Sequence, residues 1–448
     1  MTTSSTTKQD QILQALSVII DPDLNQDIVS LGFIHDLAIT DDGHVSFEMR
    51  LTTPACPVKD LFEAQAKEAL ATLDWVKTTA IKMGASAPKN ALLKSSKGLE
   101  NVGAVIAVSS CKGGVGKSSV AVNLAFQLSK SGAKVGIFDA DVYGPSLPTM
   151  VECPLIGVMM EGQWILPFER HGVKLMSFGF VSSSESGPAL MRGPMVSQVV
   201  NQLLTGTFWG ELDYLIIDMP PGTGDIPITL SQLIPITAAV IVTTPQHISC
   251  IDVIKGIQMF DKLKIPVVSV VENMSYFICD NCDQRHHIYG EGALQTLTQL
   301  FGFSNTIQLP LDPNMAVACD HGTPFILQSE TSIMATQFQE LADLTAREVS
   351  KLKFGESVRP LLESGPDNSL SIQSQTAPKK QMQASVLREA CRCASCVDEW
   401  TMKKQVDKSQ LPKDLHAKSI QLVGNYAYGI SWSDGHSSLY PFDQLLSI

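Results

Sequence analysis

A glycine-rich segment, CKGGVGKSS at positions 111–119, constrains the fold of this chain more than any other feature. It follows the apolar run GAVIAV (103–108), which predicts a buried strand, and it opens an amphipathic stretch from Val120 to Leu128, which predicts a helix. A glycine-rich turn between strand and helix leaves backbone N–H groups free to surround an anion at the positive end of the helix dipole. The segment therefore predicts a nucleoside triphosphate site, and a turn that binds nothing is the weaker alternative.

The residue types in this loop indicate how a triphosphate would be held. Lys117 is expected to reach the β- and γ-phosphates, and the Ser118 hydroxyl is expected to ligate Mg²⁺. Backbone groups complete the predicted cradle, contributed by Gly113, Gly114, Val115, Gly116 and Ser119. Two positions depart from the usual P-loop, because Cys111 replaces its first glycine and a second lysine, Lys112, follows.

Composition narrows the class of protein. A length of 448 residues with 44% hydrophobic and 17% charged residues fits a globular protein of about two to four domains. The net charge of −12 argues against bulk binding to nucleic acid, and we find no basic amphipathic helix for a membrane surface. Ten cysteines without a disulfide-scaffold spacing favour a reducing compartment. We expect a cytoplasmic protein, or a stromal one if the numbering starts after removal of a plastid transit peptide.

The chain divides into three units and two connections. Residues 8–84 run in the order helix, two strands, helix, strand, which predicts a small α+β domain, and the polar residues 85–100 predict a linker. In residues 101–353 short apolar runs alternate with helical patterns, which predicts an α/β domain with a doubly wound, mostly parallel sheet. Residues 354–383 predict a flexible linker, and residues 384–448 a small domain that needs a metal or a neighbour for stability.

Carboxylates follow two of the predicted strands of the central domain. Asp139 and Asp141 end the run VGIFDAD, and Asp218 ends YLIID. Ligands of doubly wound sheets lie at the carboxyl ends of the strands, so these acids should converge on the P-loop. We assign Asp218 to the water shell of Mg²⁺ and choose Asp141, with Asp139 beside it, to orient the attacking water. The segment MPPGTGD (219–225) is expected to act as a switch loop, and a helix cap is the alternative role for any one aspartate.

The central block resembles a known family in several segments: DADVYGPSLP, LIIDMPPGTGD, VTTPQ, VENMSYFIC and PLDPNMAVACDHGTP. These are similar to the Mrp/ApbC (Nbp-type) iron–sulfur carrier ATPases, members of the deviant P-loop (SIMIBI-type) class with ParA, MinD and the nitrogenase iron protein. The resemblance implies an ATP-hydrolysing homodimer in which Lys112 reaches the partner's nucleotide. It also implies that Asn273 reads the adenine edge and that the loop with Pro310 and Asp312 packs near the base.

A Cys-x-x-Cys pair, Cys279 and Cys282, follows the last of the strand-like runs. Two thiolates at this spacing can share one metal centre. Spacing alone favours zinc, with the nearby His286 and His287 as further ligands, and a redox dithiol is another alternative. The family resemblance implies instead that the pair from each of two subunits bridges a 4Fe–4S cluster at the dimer interface, since four thiolates are the usual full set.

The N-terminal unit resembles the small SufT-type domain of iron–sulfur assembly factors in its segment LTTPACP. Its Cys56 precedes a proline and a predicted helix N-terminus, a setting that favours the thiolate. We interpret Cys56 as a transient cluster ligand or a recognition residue, and a purely structural role is an equal alternative.

The C-terminal unit contains Cys391, Cys393 and Cys396 in a C-x-C-x-x-C pattern, followed by His436. Three cysteines and a histidine make a plausible structural zinc set. The segments LREACRCASCVDEWT and ISWSDGHSSLY resemble the small domain that precedes the catalytic domain of γ-butyrobetaine hydroxylase, where the matching residues bind zinc. Iron–sulfur ligation by the same cysteines is the competing interpretation.

The order of the three units resembles the layout of the plastid-type high-chlorophyll-fluorescence iron–sulfur scaffold family. We therefore expect an ATPase that builds a labile 4Fe–4S cluster with upstream assembly factors and transfers it to apo-proteins, with neither nucleic acid nor membrane as a partner. Two other functions stay open from the residues alone: a ParA/MinD-like positioning ATPase, and an ATP-binding zinc adaptor.

Overall fold

The computed structural model describes most of the chain. The described residues are 7–22, 24, 26–51, 53, 55, 58–85, 98–153, 157–181, 193–292, 294–297, 305–329, 331–354, 360–365, 367–374, 378–391, 396, 404, 406, 411–412, 414–423 and 427–448. Cys56, Cys393 and most of the linker predicted for residues 85–100 lie outside them.

The N-terminal unit is a small sheet covered by two helices, and it also contains a pair of two-residue strands, Ile20–Asp21 and Gln26–Asp27, that the predicted order did not include. Its sheet runs β3-β4-β5, with β3 antiparallel and β5 parallel to the central strand. Strand β4 alternates between fully and partly buried side chains, because only one face of the sheet meets the helices. The elements are α1 (Lys8–Leu16), β1 (Ile20–Asp21), β2 (Gln26–Asp27), β3 (Ile34–Ile39), β4 (His44–Leu51), α2 (Lys59–Ala71) and β5 (Thr78–Ala85).

The central unit is the predicted doubly wound sheet. Its described strands form an eight-stranded sheet in the order β10-β11-β7-β12-β6-β13-β14-β17, parallel throughout except for the edge pair β10–β11. The strands are β6 (Val102–Ser109), β7 (Val135–Asp139), β8 (Met160–Glu161), β9 (Trp164–Ile165), β10 (Phe168–Arg170), β11 (Val173–Ser177), β12 (Leu212–Asp218), β13 (Ala238–Thr243), β14 (Val267–Glu272), β15 (Phe277–Ile278), β16 (Arg285–His286) and β17 (Thr306–Gln308).

Helices cover both faces of this sheet, which is why every residue of β6, β7, β13 and β14 is buried. The helices are α3 (Lys117–Lys130), α4 (Leu147–Met150), α5 (Gly193–Gly206), α6 (Asp225–Leu233), α7 (His247–Lys262), α8 (Pro313–Asp320), α9 (Phe325–Gln328) and α10 (Ile333–Phe354). None of the described helices combines the length and apolarity that crossing a bilayer requires.

The strand order decides where the functional groups meet. Strands β7, β12 and β6 are neighbours, and the register pairs Asp218 with Asp139 on one side and with Val108 on the other. The carboxyl ends of these strands therefore lie at one level of the sheet, next to the P-loop that follows β6.

The C-terminal unit contains two three-stranded antiparallel sheets and corrects one prediction. We expected a flexible linker over residues 354–383, but strands β18, β19 and β20 lie within this range and contribute Leu362, Leu370 and Ile372 to the core of the unit. Serine and glutamine between these short apolar positions conceal the strand alternation in the composition. The elements are β18 (Leu361–Ser364), β19 (Ser369–Gln373), β20 (Lys380–Gln383), α11 (Ala384–Glu389), β21 (Ala417–Val423), β22 (Ala427–Trp432), β23 (Ser437–Pro441) and α12 (Phe442–Ser447).

Candidate functional site

The P-loop connects β6 to α3 in a conformation that requires glycine. Gly116 is the N-cap of α3 with φ +82°, and Gly114 has φ +79°, both in the left-handed region. A Cβ on Gly116 would lie 2.3 Å from the Asn273 side-chain nitrogen, whereas a Cβ on Gly113 or Gly114 would meet no heavy atom within 4 Å. The loop thus presents an open, side-chain-free surface at the positive end of α3, and the neighbouring Lys112 is exposed.

Lys117 and Asp218 form a buried ion pair beneath this loop. The side chains are 7% and 3% exposed, and the Lys117 ammonium also donates to the Ser118 hydroxyl at 3.2 Å. Burial raises the pKa of Asp218, although the Lys117 charge opposes the rise. Burial, and then the charge of Asp218, raise the pKa of Asp139 to about 7. An ammonium, a hydroxyl and a carboxylate in this position fit a triphosphate with its Mg²⁺.

Asp139 is held by the loop that follows it and by the last residue of β11. One carboxylate oxygen accepts the N–H of Asp141 at 3.0 Å. The other accepts the N–H groups of Ser146 at 3.0 Å and Leu147 at 3.2 Å, together with the Ser177 hydroxyl at 3.2 Å. These four bonds occupy its acceptor sites, so Asp139 positions the loop between β7 and α4.

Asp141 has a different environment. It is half-buried, accepts the N–H of Gly144 at 3.3 Å, and lines an open cleft of about 490 Å³ between the loops that follow β7 and β12. The cleft is also lined by Tyr143, Gly144, Pro220, Pro221, Gly224, Ile226 and Pro227. Of the two aspartates, Asp141 is therefore the one that faces solvent space beside the loop that follows β12, and its role in orienting water stays a prediction.

The segment after β14 joins the P-loop to the rest of the site. The Asn273 amide donates to the Val115 carbonyl at 2.9 Å, so this side chain holds the P-loop itself, and its assignment to adenine stays a prediction. The loop of Pro310 and Asp312 lies alongside, because the Leu311 N–H donates to the Tyr276 carbonyl at 2.7 Å. Asp312 caps α8 through the N–H of Asn314 at 2.9 Å.

A contact between the P-loop and α7 has no signal in the sequence. The Cys111 thiol is packed against Gly256 so closely that a Cβ built there would lie 2.2 Å from the sulfur. Burial raises the pKa of Cys111 to about 12, so the group is a neutral thiol that packs like a small apolar side chain. The pair explains why cysteine is accommodated where a P-loop usually has glycine.

We expect Gly256→Ala to destabilise the protein by about 1–3 kcal/mol through overpacking against Cys111, in spite of the better helix propensity of alanine. The same variant should bind ATP more weakly because the strain falls on the P-loop. Chemical unfolding and titration with a fluorescent ATP analogue measure both effects. Gly206→Ala, which meets only an ordinary contact at 3.8 Å, is the matched control. Adding Cys111→Ala to Gly256→Ala should restore the free energy of unfolding and the affinity for ATP. If it restores neither, the contact with the Cys111 sulfur is not the cause of the loss.

The Cys-x-x-Cys segment forms a tight knuckle between β15 and β16. The Cys279 N–H donates to the Gln284 carbonyl at 3.0 Å, and the Asp283 N–H donates back to the Cys279 carbonyl at 2.9 Å. Backbone N–H groups of Asn281 and Cys282 donate to the Cys279 sulfur and lower the pKa of its thiol, which favours the thiolate. Cys279 is half-buried and Cys282 is exposed, so both sulfurs are accessible to an incoming metal.

A second cluster of ligand atoms lies in the C-terminal unit. The sulfurs of Cys391 and Cys396 each lie 3.5 Å from His436 Nε2, and the cluster is largely buried. Arg388, which the sequence did not single out, donates to the Cys396 sulfur at 3.2 Å and to Asp434 at 3.0 Å. Burial, and then the Arg388 charge, lower the pKa of His436, which favours the neutral imidazole that binds metal.

The residues beside Cys56 contact the central unit. The hydroxyls of Thr53 and Tyr214 are 2.5 Å apart, and Ala55 is buried in the core on the α3 face of the large sheet. Tyr214 lies near the start of β12, whereas Asp218 lies at its end. Thr53 therefore contacts β12 near the end of the strand that is opposite to Asp218.

Each of the three units matches a known protein family. Residues 101–346 match the model of the NUBPL iron-transfer P-loop NTPases, residues 9–83 that of iron-sulfur cluster assembly proteins, and residues 364–446 that of γ-butyrobetaine hydroxylase-like N-terminal domains.

Individual relatives cover most of the chain. The chloroplastic Fe-S cluster assembly factor HCF101 of Oryza sativa is 47% identical over 97% of this chain and 82% of its own length. An iron-sulfur cluster carrier protein of Synechocystis is 39% identical over 76% of this chain and 98% of its own. Among solved structures, a nucleotide-binding protein of Archaeoglobus fulgidus in complex with ADP matches 50% of this chain and 88% of its own at 38% identity, with a TM-score of 0.45.

Proposed function

The chain belongs to the NUBPL iron-transfer P-loop NTPase family, and on that premise we propose that it is an ATP-hydrolysing homodimer that carries a labile 4Fe–4S cluster to apo-proteins. The observation that carries the proposal is the knuckle of Cys279 and Cys282 in the same domain as the P-loop. The segment from Asn273 to Tyr276 connects the two, since it contacts the P-loop at one end and leads into the knuckle at the other.

The nucleotide half of the proposal rests on the groups beneath the P-loop. Lys117 would neutralise charge on the β- and γ-phosphates, Ser118 would ligate Mg²⁺, and Asp218 would hold its water shell. Mg²⁺ supplies charge neutralisation when it is bound. Asp141 would orient the attacking water from the cleft, in a loop that Asp139 keeps in place.

The homodimer is supported by exposed apolar side chains that follow the carboxyl ends of β7 and β13, the same side of the sheet as the P-loop. Ile248 and Ile251, in the first turns of α7, are 61% and 45% exposed, and Tyr143 beside the cleft is 47% exposed. Apolar side chains clustered at one edge are typical of an interaction surface. Lys112, exposed in the P-loop, would then reach the nucleotide of the partner subunit.

The cluster half rests on the number and state of the thiols. Each chain offers two accessible cysteines of which one is biased toward thiolate, and two chains together offer the four thiolates that a 4Fe–4S cluster takes. Because Asn273 contacts the P-loop, a movement of the P-loop on hydrolysis would displace the segment that leads into the knuckle. ATP would control release of the cluster in this way. In the C-terminal unit, Cys391, Cys396 and His436, with Cys393 as the fourth ligand, would bind a structural zinc ion.

Anaerobic reconstitution with iron and sulfide tests the cluster. Wild type should retain about two irons and two labile sulfides per chain, because two chains share one cluster, and Cys279→Ser/Cys282→Ser should retain neither. Cys153→Ser, which changes a half-buried cysteine outside both ligand clusters, is the matched control and should behave as wild type. Full iron and sulfide in the double variant would exclude the knuckle as the cluster site.

A further inference from the structure

The knuckle brings a third metal ligand to the two cysteines within a single chain. A ring nitrogen of His286 and the sulfurs of Cys279 and Cys282 all lie within 4.8 Å of one another. Ligands around one tetrahedral zinc ion are separated by about 3.5–3.8 Å, given bond lengths near 2.0 Å to nitrogen and 2.3 Å to sulfur. Small side-chain adjustments therefore suffice for all three groups to contact one ion.

Backbone pairing between β15 and β16 places His286 beside the two cysteines, so the fold itself determines the ligand triad. In the register of β15 with β16, His286 is opposite Phe277, two residues before Cys279. The turn between the strands is closed by the two backbone bonds of Cys279 and by a left-handed Asp283 with φ +56°. The ligand triad is thus organised before any ion binds, which lowers the entropic cost of binding.

The neighbouring His287 is directed elsewhere. Its ring packs against Tyr276 with centroids 6.4 Å apart, and its Nε2 lies 3.7 Å from a carboxylate oxygen of Glu291. Successive side chains along an extended strand point to opposite faces. The spacing of the sequence made the two histidines equivalent candidates, and the structure separates them.

We propose that Cys279, Cys282 and His286 of one chain bind a single thiophilic divalent ion, Zn²⁺ or Fe²⁺, with the fourth coordination position open. Two thiolates and an imidazole are the donors such ions prefer, and three protein ligands with an open position are characteristic of an exchangeable site. Cys282 and His286 are exposed, in contrast to the largely buried cluster of the C-terminal unit, so the ion can enter and leave. The ion site itself does not depend on the carrier function.

One consequence does rest on the proposed function. The ion and the shared 4Fe–4S cluster would use the same two sulfurs, so a chain loaded with Zn²⁺ cannot bridge a cluster until the ion leaves. Divalent zinc would therefore inhibit cluster assembly by occupying single chains.

Anaerobic titration of the full-length protein with Co²⁺, followed by thiolate-to-metal charge-transfer absorption, tests the ion site. Subtracting the titration of Cys279→Ser/Cys282→Ser removes the signal of the C-terminal cluster, which is unchanged in that variant. The difference should saturate at one Co²⁺ per chain in a tetrahedral spectrum. His286→Ala should weaken this binding by at least about tenfold, and His287→Ala, the matched control, should change it less than about twofold.

Two results would overturn the proposal. One is equal binding by the His286→Ala and His287→Ala proteins, and the other is saturation at half a Co²⁺ per chain, which would mean that two chains share the ion. Because His286 is exposed, its replacement should leave the thermal unfolding curve unchanged, and that measurement separates ligand loss from misfolding. The titration contains neither iron nor sulfide, so failure of the cluster experiment would leave its outcome unaffected.

Discussion

Replacing Lys117 by methionine is expected to reduce ATP hydrolysis to background, a loss of at least about a hundredfold in kcat. The ammonium of Lys117 is the buried cation under the P-loop, and methionine has similar length without the charge that would offset the phosphates. Lys112→Met is the matched control, since it makes the same change at an exposed position of the same loop. It should still bind ATP, whereas hydrolysis that depends on the dimer should fall. Steady-state phosphate release and equilibrium binding of ATP distinguish the two variants.

The same substitution should also destabilise the nucleotide-free protein by about 3 kcal/mol, because it leaves the carboxylate of Asp218 buried without a counter-charge. Adding Asp218→Asn removes that charge and should recover most of the free energy of unfolding, although the double variant remains inactive. Urea unfolding of wild type, both single variants and the double variant gives the coupling energy. Strictly additive effects would show that the two side chains do not form an ion pair in solution.

Loss of the metal ligands in the C-terminal unit should have the second largest effect. We expect His436→Ala, or removal of metal with a chelator, to unfold this unit, because metal binding supplies about 10 kcal/mol or more to small metal domains and the core here is thin. The buried Trp432 lies in that core together with Cys391 and Cys396, so the strand that carries it should lose protection against hydrogen exchange. Exchange followed by mass spectrometry locates the effect to residues 427–441.

The matched control is His416→Ala, which replaces an exposed histidine of the same unit. His416→Ala should keep the wild-type protection against hydrogen exchange. With Mg²⁺ added back after the chelator is removed, His416→Ala, His436→Ala and the metal-stripped protein should all bind ATP as wild type does, because the P-loop belongs to the central unit. If strands β22 and β23 stayed protected in both the chelated protein and His436→Ala, the unit would be stable without metal and the zinc proposal would fail.

Much of the site was predictable because it depends on short segments. The P-loop needs only a buried strand, a glycine turn and a helix in sequence, and the structure has β6, residues 110–116 and α3 in that order. The mostly parallel sheet was predictable from the alternation of apolar runs and helical patterns. The flexible linker predicted for residues 354–383 was wrong over β18, β19 and β20, because one or two apolar residues per strand give too weak a pattern to recognise among serines and glutamines.

Several contacts were beyond prediction because they join residues distant in sequence. Asn273 and Val115 are 158 positions apart, and the bond between them depends on the strand order that makes the P-loop and the segment after β14 neighbours. Cys111 and Gly256 meet for the same reason. Arg388 contacts the Cys396 sulfur only because α11 packs on the metal-ligand cluster of the C-terminal unit.

By itself, the sequence determined the chemistry available to this protein: a phosphate loop with its lysine and serine, carboxylates at strand ends, and two groups of thiols. Local spacing suffices for these, because each depends on residues a few positions apart. The tertiary structure alone decided which groups share an environment. Asp139 accepts hydrogen bonds from the loop that follows it, whereas Asp141 lines the cleft. His286 lies beside the two thiols of the knuckle, whereas His287 packs against Tyr276. Such choices depend on register and packing between distant segments, for which local sequence carries no signal.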